Sequence, residues 1–493
     1  MTRDLPLPFP KSGLKVLTTL LASLALGSLA AQAQTIPSDA VSLPDLDGGR
    51  WGVSVVSLDG EQVFGLSEDQ RFAPASTLKL VTTSAAFRLL GDFDSGRWPG
   101  GTSVNLESVS TSPYPNLVLK GAGDPSLSAT GRCEGNCLQL LADAVAESGV
   151  TDIAAIDVDD SLFQPPHWPT GWTHEDFRFG YATAISSLSI DGGVARARLT
   201  PGNRQGQPPE VSWEWTPFFK INTDEAQTVS TRQFNLDLIR RPGAQEAFLL
   251  GRLPLASPPV HLQFGLDDPA LYAGEVFKAM LQSRGVTVHG PVFRGEIVHE
   301  PEAVEDEAAD QPADFALPAP DPADLLEEIL HKSNNFYTEV LLHHISLTAR
   351  DRSQESGLEL MGDMMVDAGA ARSEFNFADG SGLSVYDRIT PSAMTDLLVW
   401  ASQQSWFETW LGNMARPGEN GTLKYRFREL AETGRLHAKT GSLTGVGALA
   451  GYFETPSGER YAFAVFANDS SLSSSLTRRR LDQLLSEIFD ELD

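Results

Sequence analysis

Residues 74–91 read PASTLKLVTTSAAFRLLG, with Ser76 three positions ahead of Lys79 at the start of an apolar run. Residues i and i+3 share a helix face, so this spacing can bring a hydroxyl and an amine together as a nucleophile and its base. Serine and threonine also cap helices, and lysine is an ordinary exposed helix residue, so the pair alone is weak evidence. Its surroundings say more. Leu78, Leu80, Val81, Ala85, Ala86, Leu89 and Leu90 make the run apolar over much of its circumference, as a buried central helix should be. A lysine at the mouth of such a helix is partly desolvated, which disfavours its charged form.

The 493-residue chain is too long for one ordinary core, so several domains or one heavily inserted domain are expected. Lys11 and Lys15 precede the apolar run VLTTLLASLALGSLA, Val16 to Ala30, and then Ala31-Gln32-Ala33. That is the charged, apolar and small-residue order of a secretory signal peptide over residues 1–33, too short to be a strong membrane span. Cleavage after Ala33 and a periplasmic or otherwise exported location are expected, with a retained anchor as the alternative. The net charge of −28 falls to about −30 once Arg3, Asp4, Lys11 and Lys15 leave, which argues against nucleic acid or an anionic membrane as partner. The two cysteines lie in Cys133-Glu-Gly-Asn-Cys137, and an oxidising compartment makes a small disulfide loop the leading reading. A zinc site usually needs four ligands, and no histidine lies close by in sequence.

Trp51 to Ser57 and Gln62 to Gly65 read as two strands joined through Asp59-Gly60, with the Ser76 helix following directly. From 98 to 299 the text becomes short strand-like runs such as NLVLKG, ARARLTPG and EAFLLGRLPL, broken by Pro and Gly. This reads as inserted, mainly β, accessory subdomains. Residues 300–322 are acidic and proline-rich and read as an exposed linker. Helical text resumes with DLLEEILHKSNNFYTEVLLHHISL, two apolar strands lie across a Pro-Ser-Gly turn, and the amphipathic LTRRRLDQLLSEIFDEL closes the chain. Residues 34–97 and 323–493 therefore read as halves of one α/β domain.

Those halves carry the candidate chemistry. Lys332-Ser333-Asn334-Asn335 offers a second hydroxyl and an amide at Ser-x-Asn spacing between two helical runs. Lys439-Thr440-Gly441-Ser442 begins a strand, where glycine permits close backbone approach to a ligand. Other features read as structural. Ser103-Val104-Asn105 stands in strand text, and Asp379-Gly380-Ser381-Gly382 is a turn without the Gly-x-Ser-x-Gly elbow. Trp168, Trp172 and Phe177 fill a core or an interface, His343-His344 lacks a partner at metal spacing, and Gly445-Val446-Gly447 fits phosphate-binding loops poorly.

In this order the three motifs match the signature of serine penicillin-binding proteins and serine β-lactamases. With GAGDPSL at 121–127, DGSGLS at 379–384, PGENGTL at 417–423 and the long insertion, the chain resembles the D-Ala-D-Ala carboxypeptidases and endopeptidases of the penicillin-binding protein 4 type, peptidase family S13. The resemblance implies a penicillin-binding, transpeptidase-like α/β domain: an antiparallel sheet flanked by helices, with a central helix carrying the nucleophile. It implies Ser76 as nucleophile, Lys79 as base, and Ser333 and Asn335 as proton relay and orienter. Lys439, Thr440, Gly441 and Ser442 would bind substrate, with Lys439 as a carboxylate or β-lactam anchor. Peptidoglycan stem peptides and β-lactams are the implied partners, no cofactor is needed, and a homodimer is left open. The rival readings are a non-catalytic wall-binding protein of the same fold and a β-lactamase. Ser333 follows Ser76 by 257 residues, a separation uncharacteristic of compact β-lactamases.

Overall fold

The computed structural model describes residues 35–37, 39–91, 93, 101–110, 112–130, 135–295 and 313–493. The expected signal peptide, most of the expected acidic linker and Cys133 lie outside the described residues.

Strands β1 (Arg50–Ser57) and β2 (Gln62–Leu66) pair antiparallel across the Asp59-Gly60 turn. Three late strands, β3 (Leu436–Leu443), β4 (Val446–Glu454) and β5 (Arg460–Asn468), join them in the order β3-β4-β5-β1-β2, antiparallel throughout. The two ends of the chain thus meet in one sheet, and β3 lies at its edge. Both faces are covered. Tyr452 and Phe453 are neighbours on β4 and must face opposite sides. The Tyr452 hydroxyl donates to the Leu398 carbonyl at 2.7 Å, in helix α3 (Pro391–Ser402), while Phe453 stacks on Phe489 of helix α4 (Ser474–Leu492) with ring centroids 3.9 Å apart.

Helix α1 (Lys79–Leu89) continues the one-turn 3-10 segment Ala75–Leu78 and is buried over most of its length, as its apolar circumference requires. Its hydroxyls are satisfied inside: Thr82 donates to the Gly380 carbonyl at 2.6 Å, and Thr83 accepts from Trp410 Nε1 at 2.8 Å. Helix α2 (Asn335–Ser346) packs beside α1 in the same core.

Between the halves stands a second five-stranded sheet, ordered Val292–Phe293, Ile156–Asp159, Asn116–Lys120, Ser103–Glu107, Phe315–Ala316. Asn105 pairs with Val118 in it, so Ser103-Val104-Asn105 is ladder and nothing more. Two helices accompany this sheet, Leu138–Glu147 and Pro269–Ser283, where sequence texture suggested mainly strands. Leu138, Leu141, Ala142 and Val145 carry the helical period and are buried. The end of the expected linker is likewise structured. Phe315 pairs with Val104, and the Asp314 carboxylate accepts from Leu106 N at 2.7 Å. One aromatic and one well-placed carboxylate suffice to add an edge strand despite the proline content around them. Cys137 is disulfide-bonded. No helix among the described residues is long and apolar enough to cross a membrane.

Candidate active site

The turn before α1 is backbone-constrained. Ala75 has φ 47°, a region that residues with a Cβ visit sparingly, and the Thr77 hydroxyl ties back to the Pro74 carbonyl at 2.7 Å. Ser76 emerges from it partly exposed, while Lys79, one turn on, has no exposed surface. The Lys79 amine donates to Ser76 Oγ at 3.0 Å, Asn335 Oδ1 at 2.7 Å and the Ser381 carbonyl at 2.7 Å. Burial pulls its pKa down to about 8, against the opposing pull of Asp379, Glu339 and Asp387.

Asn335 is the first residue of α2, which Asn334 caps by accepting from Tyr337 N at 3.3 Å. The Asn335 amide also donates to the Tyr181 carbonyl at 3.0 Å, so its oxygen is the end aimed at Lys79. Ser333 stands just before the cap at φ 67° and accepts at 2.7 Å from Lys439 Nζ. Lys439 has no exposed surface either, and its other bond is to its own neighbour's carbonyl, Thr440 O, at 2.9 Å. Burial, then the charge of Lys79, holds it well below the usual lysine range. The expected anchor is therefore an interior amine whose contacts are protein oxygens.

Strand β3 lies hard against the nucleophile turn. A Cβ on Gly441 would stand 2.7 Å from Pro74 O and 3.1 Å from Ala75 Cβ. Glycine is required there for strand and turn to touch. Ser76, Ser333 and Ser442 line two arms of one cleft. One arm, of about 370 Å³, adds Thr440, Thr422, Arg426 and Arg478; the other, of about 620 Å³, adds Asn335, Tyr181, Asp176, Arg50 and Arg388.

All the catalytic and substrate-binding positions expected from sequence meet here. The Asp379-Gly380-Ser381-Gly382 segment does more than turn the chain. Asp379 accepts from Trp172 Nε1 and Ser384 N, each at 2.8 Å, and from Gly382 N at 2.7 Å, which shapes the loop that gives its Ser381 carbonyl to Lys79. Trp172 is core, as expected. Glu339 and Asp387 have no exposed surface and stand behind Lys79; sequence reading singled out neither. Burial pushes both carboxyls up, Glu339 to about 8. Only the four-residue step from Asn335 to Glu339, one helical turn, hinted that Glu339 faces the same way. His343 and His344 are interior, packed on Phe163 at 4.8 and 5.3 Å between ring centroids, and burial keeps both neutral.

With that geometry in place, the D-Ala-D-Ala carboxypeptidase 3 (S13) family model matches residues 32–488. The chain belongs to this family. It is 32% identical over 445 residues to the D-alanyl-D-alanine carboxypeptidase of Actinomadura sp. (strain R39), covering 87% of this chain and 79% of that protein. It is 25% identical over 471 residues to a penicillin-sensitive carboxypeptidase A of Dictyostelium discoideum, covering 89% and 87%. The crystal structure of penicillin-binding protein 4 from Haemophilus influenzae superposes with a TM-score of 0.74 at 22% identity, over 91% of this chain and 97% of that one. That likeness establishes the penicillin-binding, transpeptidase-like fold.

Proposed function

We propose that this S13 protein is an exported serine D-Ala-D-Ala carboxypeptidase of peptidoglycan stem peptides, acylated by penicillin on Ser76. The observation that carries the reading is a buried lysine amine 3.0 Å from a cleft serine hydroxyl, with its pKa drawn down to about 8. Such an amine is neutral often enough to take a proton near neutral pH. The leader sequence supports export, and the names of the Actinomadura and Dictyostelium relatives support the reaction and the penicillin sensitivity.

Ser76 Oγ attacks the carbonyl of the penultimate D-alanine and gives its proton to Lys79. As the tetrahedral intermediate collapses, the C–N bond breaks and the leaving amine takes a proton by way of Ser333, which Lys439 holds at 2.7 Å. Water then cleaves the ester. Backbone N–H groups of Ser76 and Ser442 are the proposed oxyanion donors, each worth about 3 kcal/mol in comparable sites. A cross-linked dimer offers the same carbonyl with another stem's amine as leaving group, so endopeptidase action needs no different machinery.

A terminal D-alanine also brings a carboxylate, and arginines line both arms of the cleft; in the larger one Arg50 is paired to Asp469 at 2.9 Å and Arg388 donates to the Val385 and Asp387 carbonyls at 2.9 and 2.7 Å. Arg426 is already paired to Asp482 at 3.0 Å, whereas exposed Arg478 pairs with no described residue. Arg478 and the hydroxyls of Thr440 and Ser442 are therefore the proposed anchor, in place of direct contact with Lys439. Arg478→Gln should lower kcat/KM about 10- to 100-fold for a peptide ending in a free carboxylate, the worth of a charge-assisted hydrogen bond. The same peptide ending in a primary amide should be cleaved equally by both proteins. An equal loss on both substrates would remove Arg478 from carboxylate recognition.

The function itself is tested by product analysis. A monomeric pentapeptide muropeptide should release free D-alanine, a cross-linked dimer should yield monomers, and penicillin should add its mass to the peptide containing Ser76. Neither product nor adduct would defeat the reading.

A further inference from the structure

Glu339 has no exposed surface, lines neither arm of the cleft, and spends both carboxylate oxygens on backbone. Its Oε1 accepts from Gly380 N at 3.1 Å and from Ser381 N at 2.7 Å, and its Oε2 lies 3.2 Å from Gly380 N. A buried carboxylate is a costly way to satisfy two amides, so its placement calls for a reason beyond packing. The same segment supplies one. Ser381 gives its amide to Glu339 and its carbonyl to Lys79 Nζ at 2.7 Å. Gly380 likewise gives its amide to Glu339 while its carbonyl takes the Thr82 hydroxyl of α1 at 2.6 Å. The segment is therefore pinned on one side by α2 and on the other by α1.

Glu339 sits one turn after Asn335 on α2, so a single helix face sends one side chain directly to Lys79 and another to the loop that holds Lys79. Any shift of that face moves two of the amine's three contacts together. Charge matters as well as position. The groups around the Lys79 amine are Glu339 from α2, Asp379 and Asp387 from the loop, and the Lys439 amine from β3. Burial first, then these three carboxyls and the neighbouring amine, decide at what pH the proton leaves Lys79.

We propose that Glu339 is a positioning residue for the reaction: it fixes the Gly380–Ser381 backbone that holds the Lys79 amine against Ser76, and its charge sets the pH at which Lys79 becomes a base. The inference rests on Lys79 being the base. In support, the Glu339 charge opposes the burial that draws the Lys79 amine down.

The experiment is the second-order rate of penicillin acylation between about pH 6 and 10, a window that spans the Lys79 pKa of about 8. Glu339→Gln keeps an oxygen for the two amides and removes the charge. Its rate should still rise with pH, with the midpoint of the rise about one unit lower, because loss of a neighbouring negative charge favours the neutral amine. Glu339→Ala removes the clamp, and its rate should fall about 100-fold at every pH, as displaced reacting groups do. A midpoint unmoved in Glu339→Gln overturns the electrostatic role, and a wild-type plateau in Glu339→Ala overturns the clamp. Should the alanine variant not fold, as a melting curve would show, the glutamine variant decides alone. A wild-type rate that shows no rise with pH would instead overturn Lys79 as base, and the role of Glu339 with it.

Discussion

Lys79→Arg reduces acylation by penicillin to about a thousandth of the wild-type rate or less, because proton transfer by a placed group is worth 10²–10⁴-fold and a guanidinium cannot be that group. Lys79 titrates near 8 inside the protein, so a useful fraction is neutral at neutral pH. Arginine stays charged, its pKa being above about 12. The wild-type rate should accordingly rise with pH through about 8, and the variant should show no such rise. Lys439→Arg is the control. Its amine serves by donating to Ser333, which a guanidinium can still do, although the wider head must fit a site with no exposed surface. It should keep measurable acylation. Equal rates for the two variants would mean that Lys79 holds Ser76 electrostatically and is not the base.

The site was legible in sequence where its chemistry is local. Ser76 and Lys79 are joined by helix geometry alone, and Ser333 and Asn335 by a spacing of two across a helix cap. The joining of both chain ends in one sheet was also legible, since strand text and turn signals flank the insertion on each side. The burial of Lys439 was not. It follows from β3 lying against the nucleophile turn, a contact between residues more than three hundred positions apart that no local pattern encodes. Glu339 and Asp387 were missed for the same reason: each looks like an ordinary surface acid until tertiary packing closes over it. The helix Leu138–Glu147 is a different case, because its apolar period is present in the sequence but stands among short runs broken by Pro and Gly.

Gly382→Ala should cost the enzyme heavily, although Gly382 is not a reacting group. Gly382 has φ +79°, where a residue with a Cβ carries roughly 1–2 kcal/mol of strain. Strain is the smaller part. The added carbon would stand 1.9 Å from Ala75 O and 3.1 Å from Ser76 N, both backbone atoms of the turn that presents the nucleophile. Neither can rotate away, so the loop and the turn must separate. Separation pulls on the Ser381 carbonyl, one residue before, and with it on the Lys79 amine that it holds at 2.7 Å. A displacement of about 1 Å at a reacting group is worth about 100-fold in rate, so acylation should fall by at least that much. Thermal stability should fall too, by about 1–3 kcal/mol, the range of an overpacked interior. The change is best read as the acylation rate at a temperature well below the variant's melting point, where lost folding cannot imitate lost chemistry. Wild-type acylation by a stably folded Gly382→Ala protein would show that the loop does not hold the Lys79 amine in place, and Glu339 would then have nothing through which to act.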